Sequence, residues 1–302
     1  MRGLVSTFHN GSVDLFYIPR KGGSLTVKSE EMKKLFEDHG ALIADDHFVL
    51  ALKDEGDERE AQWFHTADYV DKNVLLALPF EVMNPFGKAL AEQFWDAGIE
   101  AVVGPSQGGI VLAQWTAYWC TTFLHRFTMR SLSDCTVYAV WADEEDVFGW
   151  KLYAGSATGA KFVAHGRVEF DYAPPVMPMV RIGYQTKMNT RRVLGRGYNR
   201  LVAGKRCLIV DDVVTTGTTL KKVRAAVELA GGIPKGAATL CDRSSGKVTA
   251  ATLNVEKFTA LLKEDLAPLY PADQCPICKE RGLQSIRIDL GHGKEFLMSK
   301  SQ

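Results

Sequence analysis

Cys207-Leu208-Ile209-Val210-Asp211-Asp212-Val213-Val214-Thr215-Thr216-Gly217-Thr218-Thr219-Leu220 decides the fold. Cys207–Val210 is an apolar run of the kind buried on both faces of a parallel sheet. Asp211 and Asp212 emerge at its carboxyl end. A run of small hydroxylated residues around Gly217 follows, and Leu220, Val223, Val227 and Ala230 then recur at helical spacing before Gly231-Gly232. A helix N-terminus offers unpaired N–H groups and the positive end of a dipole, so it suits phosphate. Threonine hydroxyls add donors, and Gly217 lets the backbone approach closely. The two carboxylates would repel phosphate, but they can accept hydrogen bonds from ribose hydroxyls and hold waters of magnesium. A sugar bearing a 5′-phosphate, with magnesium, satisfies both halves.

Outward from this unit, the chain alternates helices and strands. Pro85 opens a helix running to Trp95, and Gly98 closes it. Ile99–Gly104 reads as a strand, Gly108–Cys120 as a helix and Thr136–Ala142 as a strand. Lys205–Val210, Gly217–Ala230 and Lys235–Cys241 read as strand, helix and strand. The pattern predicts an α/β fold with a mostly parallel central sheet flanked by helices. Ligands then bind at the carboxyl ends of the strands. Residues 1–78 read as an N-terminal α+β hood. In it Ser29 caps a helix carrying Met32, Leu35 and Phe36, Gly40 ends that helix, His47–Leu52 is a strand and Lys53–Glu60 a charged loop. Residues 79–267 form the α/β core. Within it, 143–198 holds Pro174-Pro175 and several glycines, and reads as an insertion plus a mobile loop. Residues 268–302 read as a small C-terminal extension.

The bulk properties exclude several classes. The chain has 302 residues, 46% hydrophobic, with 36 basic against 36 acidic side chains. Such a balance does not advertise a nucleic-acid-binding face. No apolar run reaches membrane-spanning length, and Met1–Asn10 lacks the apolar core of a signal peptide. Six scattered cysteines without a disulfide framework fit a cytoplasmic protein.

The segment Cys207–Leu220 resembles, almost residue for residue, the signature by which type I phosphoribosyltransferases bind phosphoribosyl pyrophosphate (PRPP). Other segments resemble the orotate phosphoribosyltransferase family within that fold. Gly104-Pro105-Ser106-Gln107-Gly108-Gly109-Ile110 is similar to the loop that contacts pyrophosphate. A plain strand-to-helix turn would also favour its glycines. His65-Thr66-Ala67-Asp68-Tyr69-Val70-Asp71-Lys72 is similar to the segment near the base, where tyrosine can stack and lysine can meet an acidic base. An amphipathic strand with a surface lysine is the competing reading. Cys241-Asp242-Arg243 looks like the strand end whose arginine grips the orotate carboxylate in bidentate fashion. Arg196-Gly197-Tyr198 and Lys205-Arg206 resemble the approach from the family's flexible loop. The tail, with Cys275-Pro276-Ile277-Cys278 and Gly291-His292-Gly293-Lys294-Glu295-Phe296, is similar to that of some bacterial and archaeal members. The resemblance runs from about Glu31 to Phe296.

It implies the type I fold, a homodimer, magnesium and transfer of ribose 5-phosphate from PRPP to orotate in pyrimidine (UMP) biosynthesis. It makes Asp211, Asp212, Val213, Val214, Thr215, Thr216, Gly217, Thr218, Thr219, Gln107 and Gly108 the PRPP-binding set. Arg243, Tyr69, Lys72 and Thr215 become the base-binding set, and Lys187, Arg196 and Asp212 the catalytic residues. Asp211 and Asp212 would hold magnesium through water. There are departures. Many members carry lysine where Gln107 stands, and the cations of the flexible loop would here be Lys187, Arg191, Arg192 and Arg196. Another nucleobase, or a non-catalytic PRPP-sensing regulator, are the competing functions. Cys275 and Cys278 could form half of a structural zinc site, completed by Cys241 and His292. Alternatively they are a redox pair or two ordinary thiols.

Overall fold

The computed structural model describes residues 4–9, 12–17, 29–52, 62–154, 161–166, 180–263 and 268–300. The hood begins with a hairpin of β1 (Leu4–His9) and β2 (Ser12–Tyr17). Helix α1 (Ser29–Asp38) carries Glu30 and Glu31 in its first turn, where acidic groups meet the positive end of the dipole. It buries Met32 and Phe36, four residues apart, and Gly40 at φ +65° ends it. Short β3 (Leu42–Ile43) pairs with β6 (Tyr69–Val70), and β4 (Phe48–Leu52) pairs antiparallel with β5 (Gln62–Thr66). The charged loop expected at Lys53–Glu60 lies outside the described residues. Helix α2 (Lys72–Leu76) starts on Asp71, whose carboxylate accepts from the Asn73 N–H at 3.0 Å.

A π-helical turn over Pro79–Met83 leads into α3 (Asn84–Gln93), with Pro in its first turn. Then come β7 (Ala101–Pro105), α4 (Gly108–Thr128), β8 (Tyr138–Ala154), β9 (Lys161–Gly166) and β10 (Val180–Val193). After α5 (Tyr198–Val202) follow β11 (Arg206–Val214), α6 (Thr218–Leu229), β12 (Ile233–Asp242), α7 (Ala250–Leu253) and β13 (Lys257–Lys263). The central sheet runs β10-β8-β7-β11-β12-β13, with β9 added on β8. From β8 through β13 the pairings are parallel, and β9 and β10 join antiparallel.

Strand β11 lies in the middle of this sheet and is buried on both faces. Leu208 and Val210 pack with Phe86, Leu90 and Leu112 of α3 and α4. Cys207 and Ile209 pack with Leu220, Val223 and Val227 of α6. The period-two alternation of a strand thus assigns its side chains to two separate cores.

Three expectations change. The carboxylates do not follow β11 but lie inside it, because pairing with β12 continues through Asp211↔Thr239 to Val214↔Asp242. Helix α4 runs on to Thr128 because aromatic side chains continue to stack along it, Trp119 on Phe123 and Phe123 on Phe127. Within 143–198, residues 143–154 and 180–193 form an antiparallel arm rather than a loop. Opposite charges face each other across it, Arg191 opposite Glu145 and Arg192 opposite Glu144, an arrangement that favours pairing. The prolines and glycines that suggested a loop fall largely between these strands.

The tail does not stand apart. Strand β14 (Tyr270–Pro271) pairs with β5, and α8 (Pro276–Arg281) and α9 (Gly293–Lys300) follow. The Arg287 N–H donates to His47 O and the His292 N–H to Val49 O, each at 2.8 Å, closing the far edge of β4. Ile286 and Phe296 share a small core with Val49. None of the described helices is long and apolar enough to cross a membrane.

Leu208→Ala should lower unfolding free energy by about 2–5 kcal/mol in urea titrations, because the cavity opens in a fully packed layer. Leu229→Ala, at an 83% exposed position on α6, should stay within about 0.5 kcal/mol of the parent. Equal effects would contradict this assignment of the core.

Candidate active site

The site is built around the end of β11. Asp212 follows Leu208 and Val210 onto the α4 side of the sheet, where Gly108 begins that helix. A Cβ at Gly108 would stand 1.8 Å from Asp212 Oδ2, so any side chain there would displace the Asp212 carboxylate. Asp212 Oδ1 accepts from the Val213 N–H at 2.6 Å, and Asp211 Oδ1 from the Asp212 N–H at 2.9 Å. Thr239 Oγ1 donates to Asp212 O at 2.9 Å. Both acids are buried. Burial, with the Asp212 charge beside it, raises Asp211 above the ordinary carboxylate range.

Lys72 Nζ lies 2.9 Å from Asp212 Oδ2. Burial is the largest single influence on Lys72 and would lower its pKa, but the charge and hydrogen bond of Asp212, with the Asp211 and Tyr69 charges, together outweigh it and the net direction is upward. The Lys72 ammonium is thus the partner of Asp212 Oδ2. The structure therefore places Lys72, expected at the base, against the acidic pair and the start of α4.

Gln107 precedes α4 at φ 75°, ψ −98°, a conformation rare for a residue with a side chain and common at functional turns. Across from this loop, Arg192 Nη1 donates to Ser106 Oγ at 2.9 Å, and Nη2 pairs with Glu144 at 2.9 Å. Arg192 is only 12% exposed. The sequence reading grouped it with other loop cations and gave it no role of its own. Its position depends on the arm's register, which the sequence does not announce. Arg191 pairs with Glu145 at 2.8 Å, and the 71% exposed Arg196 lies 3.4 Å from Asp143. Lys187 is on β10, and its side chain is outside the described residues.

Beyond Val213 and Val214, Thr215 is half-buried and Thr216 exposed. Thr216 Oγ1 accepts from the Thr218 N–H at 3.4 Å and lies 3.0 Å from Thr218 Oγ1. Gly217 precedes α6 at φ +78°, where a side chain would be strained and would press on Val248 at 3.2 Å. Thr218 and Thr219 are the first residues of α6, so their N–H groups sit at its unsatisfied end.

Arg243 follows β12, beside β11. Its N–H donates to Val214 O at 2.8 Å and its Nη2 to Asp68 O at 3.2 Å. This ties the strand end to the hood segment that carries Tyr69. Burial lowers the Arg243 pKa, though an arginine remains cationic. Tyr69 stacks on Phe48, with ring centroids 5.0 Å apart. Burial, then the Asp71 charge, raises its phenol.

Away from these groups, Cys275 and Cys278 meet His47 and His65, and the four ligand atoms lie within 4.8 Å of one another. This corrects the expected partners of the thiol pair. Cys241 is enclosed within β12, and His292 lies against Trp63. Burial lowers His47 and, with the His47 charge beside it, lowers His65 to about 4. Burial and the neighbouring Cys275 push Cys278 up to about 11.

Residues 185–259, from within β10 to the start of β13, match the phosphoribosyl transferase domain family. The orotate phosphoribosyltransferase of Thermus thermophilus is 40% identical over 144 residues, covering 43% of this chain and 75% of that protein. That of Chlorobaculum parvum is 25% identical over 252 residues, covering 83% of this chain and 91% of that one. That of Pelotomaculum thermopropionicum is 35% identical over 108 residues, 36% of this chain, and the match spans about half (53%) of that relative. Three-quarters of the Thermus protein is thus matched at an identity that accompanies a shared fold, and the chain belongs to the orotate phosphoribosyltransferase family.

Proposed function

We propose that the protein transfers ribose 5-phosphate from PRPP to orotate, giving orotidine 5′-monophosphate and pyrophosphate in pyrimidine biosynthesis. The observation that carries this reading is the convergence of three chemistries around neighbouring strand ends. Acids lie at β11, a buried arginine follows β12, and a threonine-rich turn opens α6.

In this reading, the N–H groups and hydroxyls of Thr215–Thr219 hold the 5′-phosphate. Asp211 and Asp212 accept the ribose hydroxyls. Magnesium fits the same pair, since two adjacent carboxylates beside a phosphate-binding turn suit a hard cation or its waters. When bound, the ion would neutralise charge on the pyrophosphate. Orotate lies between Tyr69 and Arg243. The Asp68 carbonyl orients the Arg243 guanidinium, whose planar fork can grip a carboxylate.

Bond breaking leaves positive character on the sugar and negative charge on the departing pyrophosphate. The cations available beside the Ser106–Gly108 loop are Lys72, on Asp212, and Arg192, on Ser106. They can stabilise the leaving group although Gln107 carries no charge. Such a pair of cations favours catalysis over a non-catalytic PRPP sensor. Catalytic roles for Lys187 on the arm and Arg196 just beyond it, with closure that excludes water, belong to the same reading.

The reading also takes the enzyme as a cytoplasmic homodimer. Phe80, 74% exposed, and Tyr118, 56% exposed, flank Trp115 in an apolar surface groove of the sort that protein contacts cover.

Orotate consumption, followed by ultraviolet absorbance with PRPP and magnesium, should proceed in the parent. Arg243→Ala should lose roughly 2–5 kcal/mol in kcat/KM for orotate, about 30-fold to several-thousand-fold, with KM for PRPP little changed. An inert parent that still binds PRPP would remove orotate as the substrate and leave another nucleobase.

Asp211 gives a pH signature. With its folded pKa raised, the folded chain holds a proton that the unfolded chain has released, so its contribution to stability falls as pH rises through that window. Asp211→Asn cannot ionise. Its thermal midpoint should exceed that of the parent by a margin that widens between about pH 4 and about pH 8, the ordinary and the raised values of this acid. Parallel curves would refute this account of the buried pair.

A further inference from the structure

His47 and His65 lie on and beside the hood strands, and Cys275 and Cys278 lie in the tail, more than two hundred positions away in sequence. None of the four takes part in the chemistry above. His47 Nε2 is 3.7 Å from Cys275 Sγ and 3.6 Å from Cys278 Sγ, and His65 Nδ1 is 3.3 Å from Cys278 Sγ. The two ring nitrogens are 2.9 Å apart. A tetrahedral zinc ion with usual bond lengths separates its nitrogen ligands by about 3.4 Å and a nitrogen from a sulfur by about 3.6 Å. The three close sulfur–nitrogen contacts fit this, whereas the nitrogen pair must open by about half an ångström and the widest separation in the group, up to 4.8 Å, must close by about one.

The surroundings also prepare the ligands. Ser285 Oγ donates to Gly282 O at 2.7 Å and lies 2.7 Å from His47 Nδ1. The serine's proton is thus committed, so His47 Nδ1–H is the donor to it and the Nε2 lone pair faces the cluster. An outer hydrogen bond of this kind orients metal-bound histidines. The Cys278 N–H points at Cys275 Sγ at 3.4 Å, which suits a sulfur carrying negative charge. Two thiolates and a divalent cation sum to zero charge, which suits a site where Cys275 is 1% exposed. The cysteines are thiols, none in a disulfide.

We propose that His47 Nε2, His65 Nδ1, Cys275 Sγ and Cys278 Sγ bind one structural zinc ion that fastens the C-terminal tail to the hood. Two soft and two borderline ligands in a closed tetrahedron select zinc over hard cations such as magnesium. All four positions are protein atoms, so the site is structural, without an open coordination position for substrate. On binding, each thiol releases its proton to solvent as its sulfur coordinates. The ion would hold β4 and β5, and with them Phe48 beneath Tyr69.

The test is metal analysis of the full-length protein, purified under reducing conditions without chelator, supplied with zinc and dialysed. The expected content is about one zinc per chain. Cobalt substitution should give the visible bands of a tetrahedral ion, with thiolate charge transfer in the near ultraviolet. Cys278→Ser should lose the metal, whereas Cys241→Ser and His292→Ala should keep it. Zinc below about a tenth of an equivalent, a six-coordinate cobalt spectrum, or loss of metal in either of the last two variants would overturn the proposal. If Cys278→Ser does not fold, the cobalt spectrum of the parent decides by itself. No substrate is present in these measurements, so they stand or fall independently of the orotate reading.

Discussion

Two carboxylates buried side by side in a central strand are unfavourable unless charge and hydrogen bonds compensate them. Asp211 and Asp212 take backbone N–H donors from the following residues, and Lys72 reaches in from the hood to pair with Asp212. Even so, Asp211 holds its proton more tightly than an ordinary acid. Much of the surrounding structure serves to hold the pair. The sheet buries the strand on both faces, Gly108 leaves room for the Asp212 side chain, and α2 places Lys72.

The strand–loop–helix was legible in sequence because its determinants are local. Apolar composition, paired acids, hydroxylated turn and helical periodicity all fall within one contiguous segment, and tertiary packing reinforced each of them. Arg243 was legible for a similar reason, since it immediately follows a readable strand. The end of β11 was misplaced by four residues because charge reads as exposure. Here strand pairing with β12 continues past the acids, and nothing local announces it.

Features set by register and long-range packing were not legible. Arg192 could be grouped with Lys187, Arg191 and Arg196, but only the β8–β10 pairing brings it to Ser106. Lys72 could be placed near the base, but its approach to Asp212 depends on how the hood docks on the sheet. His47, just before β4, and His65, on the antiparallel β5, stand 18 residues apart, a separation with no ligand-motif signature. They meet the Cys275–Cys278 turn only because β14 and the backbone of residues 287 and 292 bind the edges of the hood sheet. A tail that reads as an appendage is thereby part of the frame around Phe48 and Tyr69.

The central claim is that the end of β11 and the start of α6 form one PRPP site. Calorimetric titration of PRPP with magnesium tests it without any assumption about the acceptor base. The account predicts one site per chain in the parent, and at least about tenfold weaker binding when both Asp211 and Asp212 are changed to Asn, since two charge-assisted contacts are lost. Unchanged affinity in a folded double variant would contradict it.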